Sequence, residues 1–119
     1  MDISLRADII RNIPDIQIGP NRRHNVFLAA RESLNNAVKH ANATEIHLGI
    51  TIEENHLVIR IRDNGRGFPV EYASSGDGLS NLKKRMSDCG GTCTIESKMG
   101  EGTTVSLSLP LPPPREHGK

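Results

Sequence analysis

Aromatic side chains are nearly missing from this chain of 119 residues, which has two Phe, one Tyr and no Trp. Phe27, Phe68 and Tyr72 are too few for a base-stacking platform, which argues against a nucleic-acid partner. Nor is there an excess of charge of one sign. Fifteen Lys and Arg face 14 Asp and Glu for a net charge of +1, so no general polyanion-binding surface is expected. Cysteine is limited to Cys89 and Cys93, which cannot build a disulfide framework or a four-ligand zinc site. With Gly90-Gly91 between them, they read as small, packed, reduced thiols. No HExxH or similar ligand spacing relates the five histidines. No GxxxxGK[ST] occurs, and no GxGxxG follows the first strand, so neither a P-loop nor a Rossmann site is supported. No apolar run approaches the roughly 18–20 residues of a membrane span, and nothing near Met1 resembles a signal peptide. The expectation is a cytoplasmic, soluble domain that does not itself insert in a membrane, with one core.

The patterning that is present alternates between two periods. Residues 3–9 loosely alternate as a strand, followed by a turn-prone Asn12-Ile13-Pro14. From about Asn21 to Ala41 the period is helical. At roughly 100° per residue, Val26, Phe27, Ala30, Leu34, Ala37, Val38 and Ala41 fall in one arc of about 120°, the expected core face. Asn21 is the expected N-cap and Asn42 the expected end. Ile46, Leu48, Ile50 and Ile52 then alternate with polar residues, as do Leu57, Ile59 and Ile61, and the short polar link Glu53–His56 predicts a hairpin. Residues 63–78 are glycine-rich and aperiodic, which reads as a mobile loop. A second helix is expected from Leu79 to Asp88 on a stripe of Leu79, Leu82 and Met86, closed by Gly90-Gly91. Alternating strands follow near 92–97 and 103–109, split by Gly100-Glu101-Gly102. The Pro-rich tail, 111–119, is expected to be disordered. The fold class is thus an α/β two-layer sandwich, a mixed but mostly antiparallel sheet with helices on one face. Residues 1–110 form the domain.

Four local features carry chemistry. Glu32, Asn36 and Lys39 lie within about 60° of one another, opposite the apolar arc. A Glu–Lys pair alone is an ordinary solvated face, but Asn35-Asn36 mid-helix costs roughly 0.5 kcal/mol per Asn against Ala. Glu and Asn one turn apart offer oxygen ligands for one edge of a Mg²⁺ octahedron, and Lys39 a point charge for phosphate. Asp63-Asn64-Gly65-Arg66-Gly67 follows a buried strand; the glycines let backbone approach a flat ligand while the carboxylate accepts a hydrogen bond, as from a purine amine. Taken alone it would equally be a tight turn. Gly76-Asp77-Gly78-Leu79 opens a helix and exposes amides that favour phosphate. Gly100-Glu101-Gly102-Thr103 is a turn leading a hydroxyl into the last strand, and alone reads as a hairpin.

In this order the four resemble the motifs of the Bergerat-fold (GHKL) ATPases. Glu32 to His40 (ESLNNAVKH) resembles the N box, Asp63–Gly67 the G1 box, Gly76–Leu79 the G2 box, and Gly100–Thr103 the last glycine-threonine motif. The resemblance spans about residues 2–110 and is nearest the ATP-binding catalytic domain of bacterial two-component sensor histidine kinases with a short ATP lid. It implies ATP and Mg²⁺ as cofactors. Asn36 would coordinate the metal with Glu32 beside it, as support or as a base, and Lys39 and His40 would face the phosphates. Asp63 would accept from the adenine amine above Gly65 and Gly67, with Thr103 supporting the pocket. Gly76 and Gly78, with Leu79, would hinge the lid and bind phosphate. No histidine here has the setting of the family's phosphoacceptor. The expected activity is therefore transfer of the γ-phosphoryl group to a histidine on a separate dimerisation domain, with a response regulator as indirect partner. A serine kinase of the same fold that inhibits a sigma factor, and a nucleotide-binding module without catalysis, are the alternatives.

Overall fold

A computed structural model of the chain describes residues 4–9, 18–40, 44–65 and 78–111. The elements run β1 (Ser4–Ile9), α1 (Pro20–His40), β2 (Glu45–Glu53), β3 (His56–Asp63), α2 (Gly78–Asp88), β4 (Thr92–Lys98) and β5 (Gly102–Pro110). The five strands form one sheet in the order β1-β2-β3-β5-β4. β1 pairs parallel with β2 across the α1 crossover, and the other pairs are antiparallel. The mixed two-layer architecture is the one expected.

Each hairpin turn follows from its residues. Glu54 (φ 49°) and Asn55 (φ 62°) make a two-residue link between β2 and β3, and positive φ at both is the primed turn that matches strand twist. Alternation then sends one set of side chains toward the helices. Leu48, Ile61, Val105 and Ile95 share a row across β2, β3, β5 and β4, and Ile50, Ile59, Leu107 and Cys93 the next. Onto these rows pack Leu82 and Met86 of α2, at 1% and 0% exposure, and Val26, Ala29 and Ala37 of α1.

Three expectations are corrected. The Arg23 amide donates to the Gly19 carbonyl at 3.0 Å, so Gly19 caps α1 and Pro20 takes the first helical position, where a missing N–H costs nothing. The buried face of α1 is turned by roughly 80° from the expected arc. Ala29 and Ser33 are buried, while Phe27 (60%) and Val38 (52%) are exposed. The small residues at 29, 33 and 37 let the helix lie close on the bulky Ile, Val and Leu of the sheet, and the Ser33 hydroxyl is satisfied by the Ala29 carbonyl at 2.9 Å. Finally, Leu111, the first residue of the expected disordered tail, exchanges hydrogen bonds with Asn55. The tail from 112, the loop from 66 to 77, the turn at 12–14, and Ala41 and Asn42 lie outside the described residues.

The direction of the helices fixes which end of the sheet the motifs reach. The Arg22 guanidinium donates to the carbonyls of Cys89 and Pro110, both at 3.0 Å, pinning the start of α1 where β5 ends and β3 begins. From Arg22 to Asn36 a helix advances about 21 Å, and from Pro110 back to Thr103 a strand covers about 24 Å. Because α1 packs on β3 and β5, it carries Glu32 and Asn36 toward the far end, where Asp63 and Thr103 lie. α2 ends beside Arg22, so its first turn at Gly78 lies toward that far end too.

Candidate functional site

Asp63 closes β3 and Thr103 is the second residue of β5, and the two are directly paired, as are Thr103 and Ser97 of β4. The row Asp63–Thr103–Ser97 therefore continues the inward-facing set but is polar where its neighbours are Ile, Val and Leu. Asp63 is 7% exposed, and among the described residues no cation pairs with it. Its burial pushes the carboxyl pKa up, while the backbone N–H groups of Gly65 and Thr103 oppose that shift. Gly65 N donates to Asp63 Oδ1 at 2.8 Å. Such a carboxylate has acceptor capacity that its own fold does not use up.

The backbone around it is fixed tightly. Asn64 Oδ1 accepts from the Thr44 and Glu45 amides at 3.0 and 2.9 Å, and Asn64 Nδ2 donates to Thr44 Oγ1 at 3.0 Å, tying the end of β3 to the start of β2. Gly102 has φ of +91°, and a Cβ there would collide with the Asp63 carbonyl. The glycine of the last motif is thus required for the approach of β5 to Asp63.

On α1, Glu32 and Asn36 are half-buried rather than opposite the core, because the rotated helix brings their side to its margin. Neither forms a hydrogen bond or ion pair with a described residue. One turn apart, their Cβ atoms stand about 5–6 Å from each other. Among the described residues no three His, Cys, Asp or Glu side chains converge. A cation at Glu32 and Asn36 would take its other ligands from phosphate and water, and two hard oxygen donors suit Mg²⁺ of that kind.

The expected site residues thus fall into two sets. Glu32, Asn36, Asp63, Gly65 and Thr103 are described, and Asp63, Gly65 and Thr103 are brought together. Lys39 and His40 belong to the last turn of α1 and Gly78 and Leu79 to the first turn of α2, but the side chains of Lys39, His40 and Leu79 lie outside the described residues, as do Gly67 and Gly76. The residue reading passed over Ser97 and the fixing role of Asn64. Positions 93, 95 and 97 of β4 point inward, and a serine third in that series, across a glycine turn from Thr103, is the signal that marks it.

A cavity of about 720 Å³ is lined mostly by outward-facing residues, His47, Arg60, Arg62, Glu96 and Lys98 among them, and it also reaches Asp63, Ser97 and Gly102. Arg60 is paired with Glu53 at 2.6 Å, and His47 Nε2 lies 2.6 Å from Asp8 Oδ2. None of its lining residues belongs to α1.

Asp63 and Thr103 thus pair at adjoining strand ends, and α1 carries a half-buried Glu32–Asn36 turn toward that end of the sheet. Residues 21–113 match the model of the histidine kinase-, DNA gyrase B-, and HSP90-like ATPases, and the chain belongs to that family. It is 31% identical to the signal transduction histidine-protein kinase/phosphatase DegS of Bacillus subtilis, over 92% of this chain and 29% of that protein. With UhpB of Salmonella typhimurium, also a signal transduction histidine-protein kinase/phosphatase, it shares 38% identity over 82% of this chain and 19% of that protein. Among solved structures it is similar to the ATP binding domain of PrrB from Mycobacterium tuberculosis, with TM-score 0.72 and 28% identity over 91% of this chain and 81% of that one. The chain spans less than a third of the curated relatives named here. No helix among the described residues is long and apolar enough to cross a membrane.

Proposed function

We propose that this chain is the ATP-binding catalytic domain of a sensor histidine kinase. It would bind Mg-ATP and present the γ-phosphoryl group to a histidine on a separate dimerisation domain, from which a response regulator is charged on the cytoplasmic side. The observation that carries the reading is Asp63, a buried carboxylate held by two backbone amides with no cation beside it among the described residues, at the end of the sheet to which α1 brings Glu32 and Asn36.

In this reading Asp63 accepts from the adenine amine, Gly65 and Gly67 line the base, and Thr103 supports it. Asn36 and Glu32 hold Mg²⁺, whose charge neutralises the phosphates when bound. Lys39 and His40 add positive charge and a donor at the end of α1. Gly76, Gly78 and Leu79 would serve the phosphates, as the resemblance to the G2 box implies. Transfer of this kind needs positioning and charge neutralisation rather than a covalent intermediate on the domain, so binding groups suffice.

Incubation of the chain with a histidine-kinase dimerisation domain and γ-labelled ATP tests the reading. Acid-labile, base-stable label on the dimerisation domain is expected. Acid-stable label on a partner serine would instead establish the anti-sigma alternative, and nucleotide binding with no label on any partner would establish a binding module.

A further inference from the structure

Among the described residues β1 is an open edge of the sheet, since it stands first in the strand order and pairs only with β2. All six of its residues are exposed. The direction of its hydrogen bonding is fixed. Ser4 N donates to the Thr44 carbonyl at 2.8 Å, and Ser4 is in register with Glu45 of the parallel β2. Alternate residues of a paired strand turn their backbone groups to opposite sides. Ser4, Arg6 and Asp8 therefore bond to β2, whereas Leu5, Ala7 and Ile9 present N–H and C=O to the open edge.

The side chains of β1 divide by face. Leu5, Ala7 and Ile9 are in register with Ile46, Leu48 and Ile50 and share the helix-bearing face. α1 packs over β3 and β5, and Leu5 and Ile9 stay 59% and 49% exposed. Arg6 and Asp8 lie on the opposite face. Asp8 Oδ2 is 2.6 Å from His47 Nε2, and Arg6 has no ion pair with a described residue.

Charges on an edge strand often serve only to deter association. Here their order instead matches a second β1 running antiparallel about a two-fold axis. An axis at Arg6 would set Arg6 against its own copy, and an axis at Asp8 would do the same with Asp8. Axes at Leu5 or Ile9 leave both charges unmatched. An axis at Ala7 sets Arg6 of each copy opposite Asp8 of the other, and Leu5 opposite Ile9. That axis also makes Leu5, Ala7 and Ile9 the hydrogen-bonded positions, which are those with free backbone groups. Arg6 and Asp8 then form the non-hydrogen-bonded pairs, where facing side chains come closest.

We propose that β1 is a self-complementary edge through which two copies of this chain join, antiparallel about Ala7, into one continuous sheet with the helices of both copies on the same face. The surface is independent of the nucleotide reading.

Sedimentation equilibrium of the nucleotide-free chain over a range of concentrations tests the proposal, and a monomer–dimer equilibrium is expected. R6E makes both face charges of β1 negative and D8K makes both positive, so each variant alone should dimerise about tenfold more weakly. An equimolar mixture of the two should recover a heterodimer, because each copy then carries the sign that the other lacks. A7C should form an intermolecular disulfide on mild oxidation that the unaltered chain does not form, since this axis sets residue 7 against itself at a Cα separation of about 5.5 Å. A chain that stays monomeric at its highest soluble concentration would overturn the proposal. So would a dimer unaffected by R6E and D8K, a mixture of the two that stays apart, or an A7C variant that does not cross-link.

Discussion

Where β3 begins and β5 ends, polar groups meet partners within the fold; toward the end where β3 stops and β5 starts, Glu32 and Asn36 meet none among the described residues. At the first end Arg22 caps two carbonyls, and Glu53 holds Arg60 through two hydrogen bonds of 2.6 and 3.1 Å. There α2 also closes on Gly90, whose φ is +84°, with Gly91 N donating to the Met86 carbonyl at 2.8 Å and Gly90 N to Ser87 at 3.0 Å. That is a complete Schellman cap. At the second end Asp63 is buried without a cation, and Glu32 and Asn36 are half-buried without partners, among the described residues. One end is arranged for stability. The other gives up stability to keep acceptors available, as binding sites do.

The sharpest way to break the comparison is to damage the first end and look for effects at the second. Met86 is fully buried, so M86A should lower stability by roughly 2–5 kcal/mol in chemical denaturation. Below its melting temperature it should still bind nucleotide. Loss of binding in the folded variant would mean that the two ends are not separable. G102A works from the other side. It combines a strained positive φ with a collision against the Asp63 carbonyl, and should cost about 2–3 kcal/mol. Unlike M86A, it should also abolish nucleotide binding at temperatures where it is folded.

Smaller effects sharpen the contrast. N36A should leave the melting temperature nearly unchanged yet reduce the Mg²⁺ dependence of ATP affinity by about tenfold, since Asn36 has no partner to lose among the described residues. An unaltered Mg²⁺ dependence would remove Asn36 from the metal. The two ends should also respond oppositely to pH. The Glu53 carboxyl is held down to about 2 by Arg60 and Thr51, so the stability it contributes is present above its ordinary value of 4.5 and is lost as pH falls through about 2. E53Q should therefore melt below the unaltered chain at neutral pH and converge with it in strong acid. Burial raises the Asp63 pKa, so its ionisation costs stability as pH rises above its ordinary value of 3.8. D63N should melt higher at neutral pH, with the gain vanishing below that range.

Much of this arrangement is legible in the sequence because alternation and turn chemistry are local. The strand positions, the Gly90-Gly91 stop and the hairpin at Glu53–His56 follow from residues close in the chain. The rotation of α1 does not. Phe27, Leu34 and Val38 make the more apolar stripe, and only the sheet's bulky inward rows favour the smaller Ala29, Ser33 and Ala37. That same rotation moves Glu32 and Asn36 from an open face to the margin of the core. The motif around Asp63 is visible as glycines after a strand. Its link to Ser97 is not, because it depends on the register of β5 between β3 and β4, set by the tight link from Lys98 to Gly102. The role of Arg22 is equally nonlocal, since its partners Cys89 and Pro110 are distant in sequence.

The central claim is that the purine is held at Asp63, and titration of the unaltered chain and of D63N with Mg-ATP and Mg-GTP tests it most directly. The unaltered chain should prefer ATP, and D63N should lose that preference while remaining folded. A D63N protein that discriminates ATP from GTP as well as the unaltered chain would contradict the account.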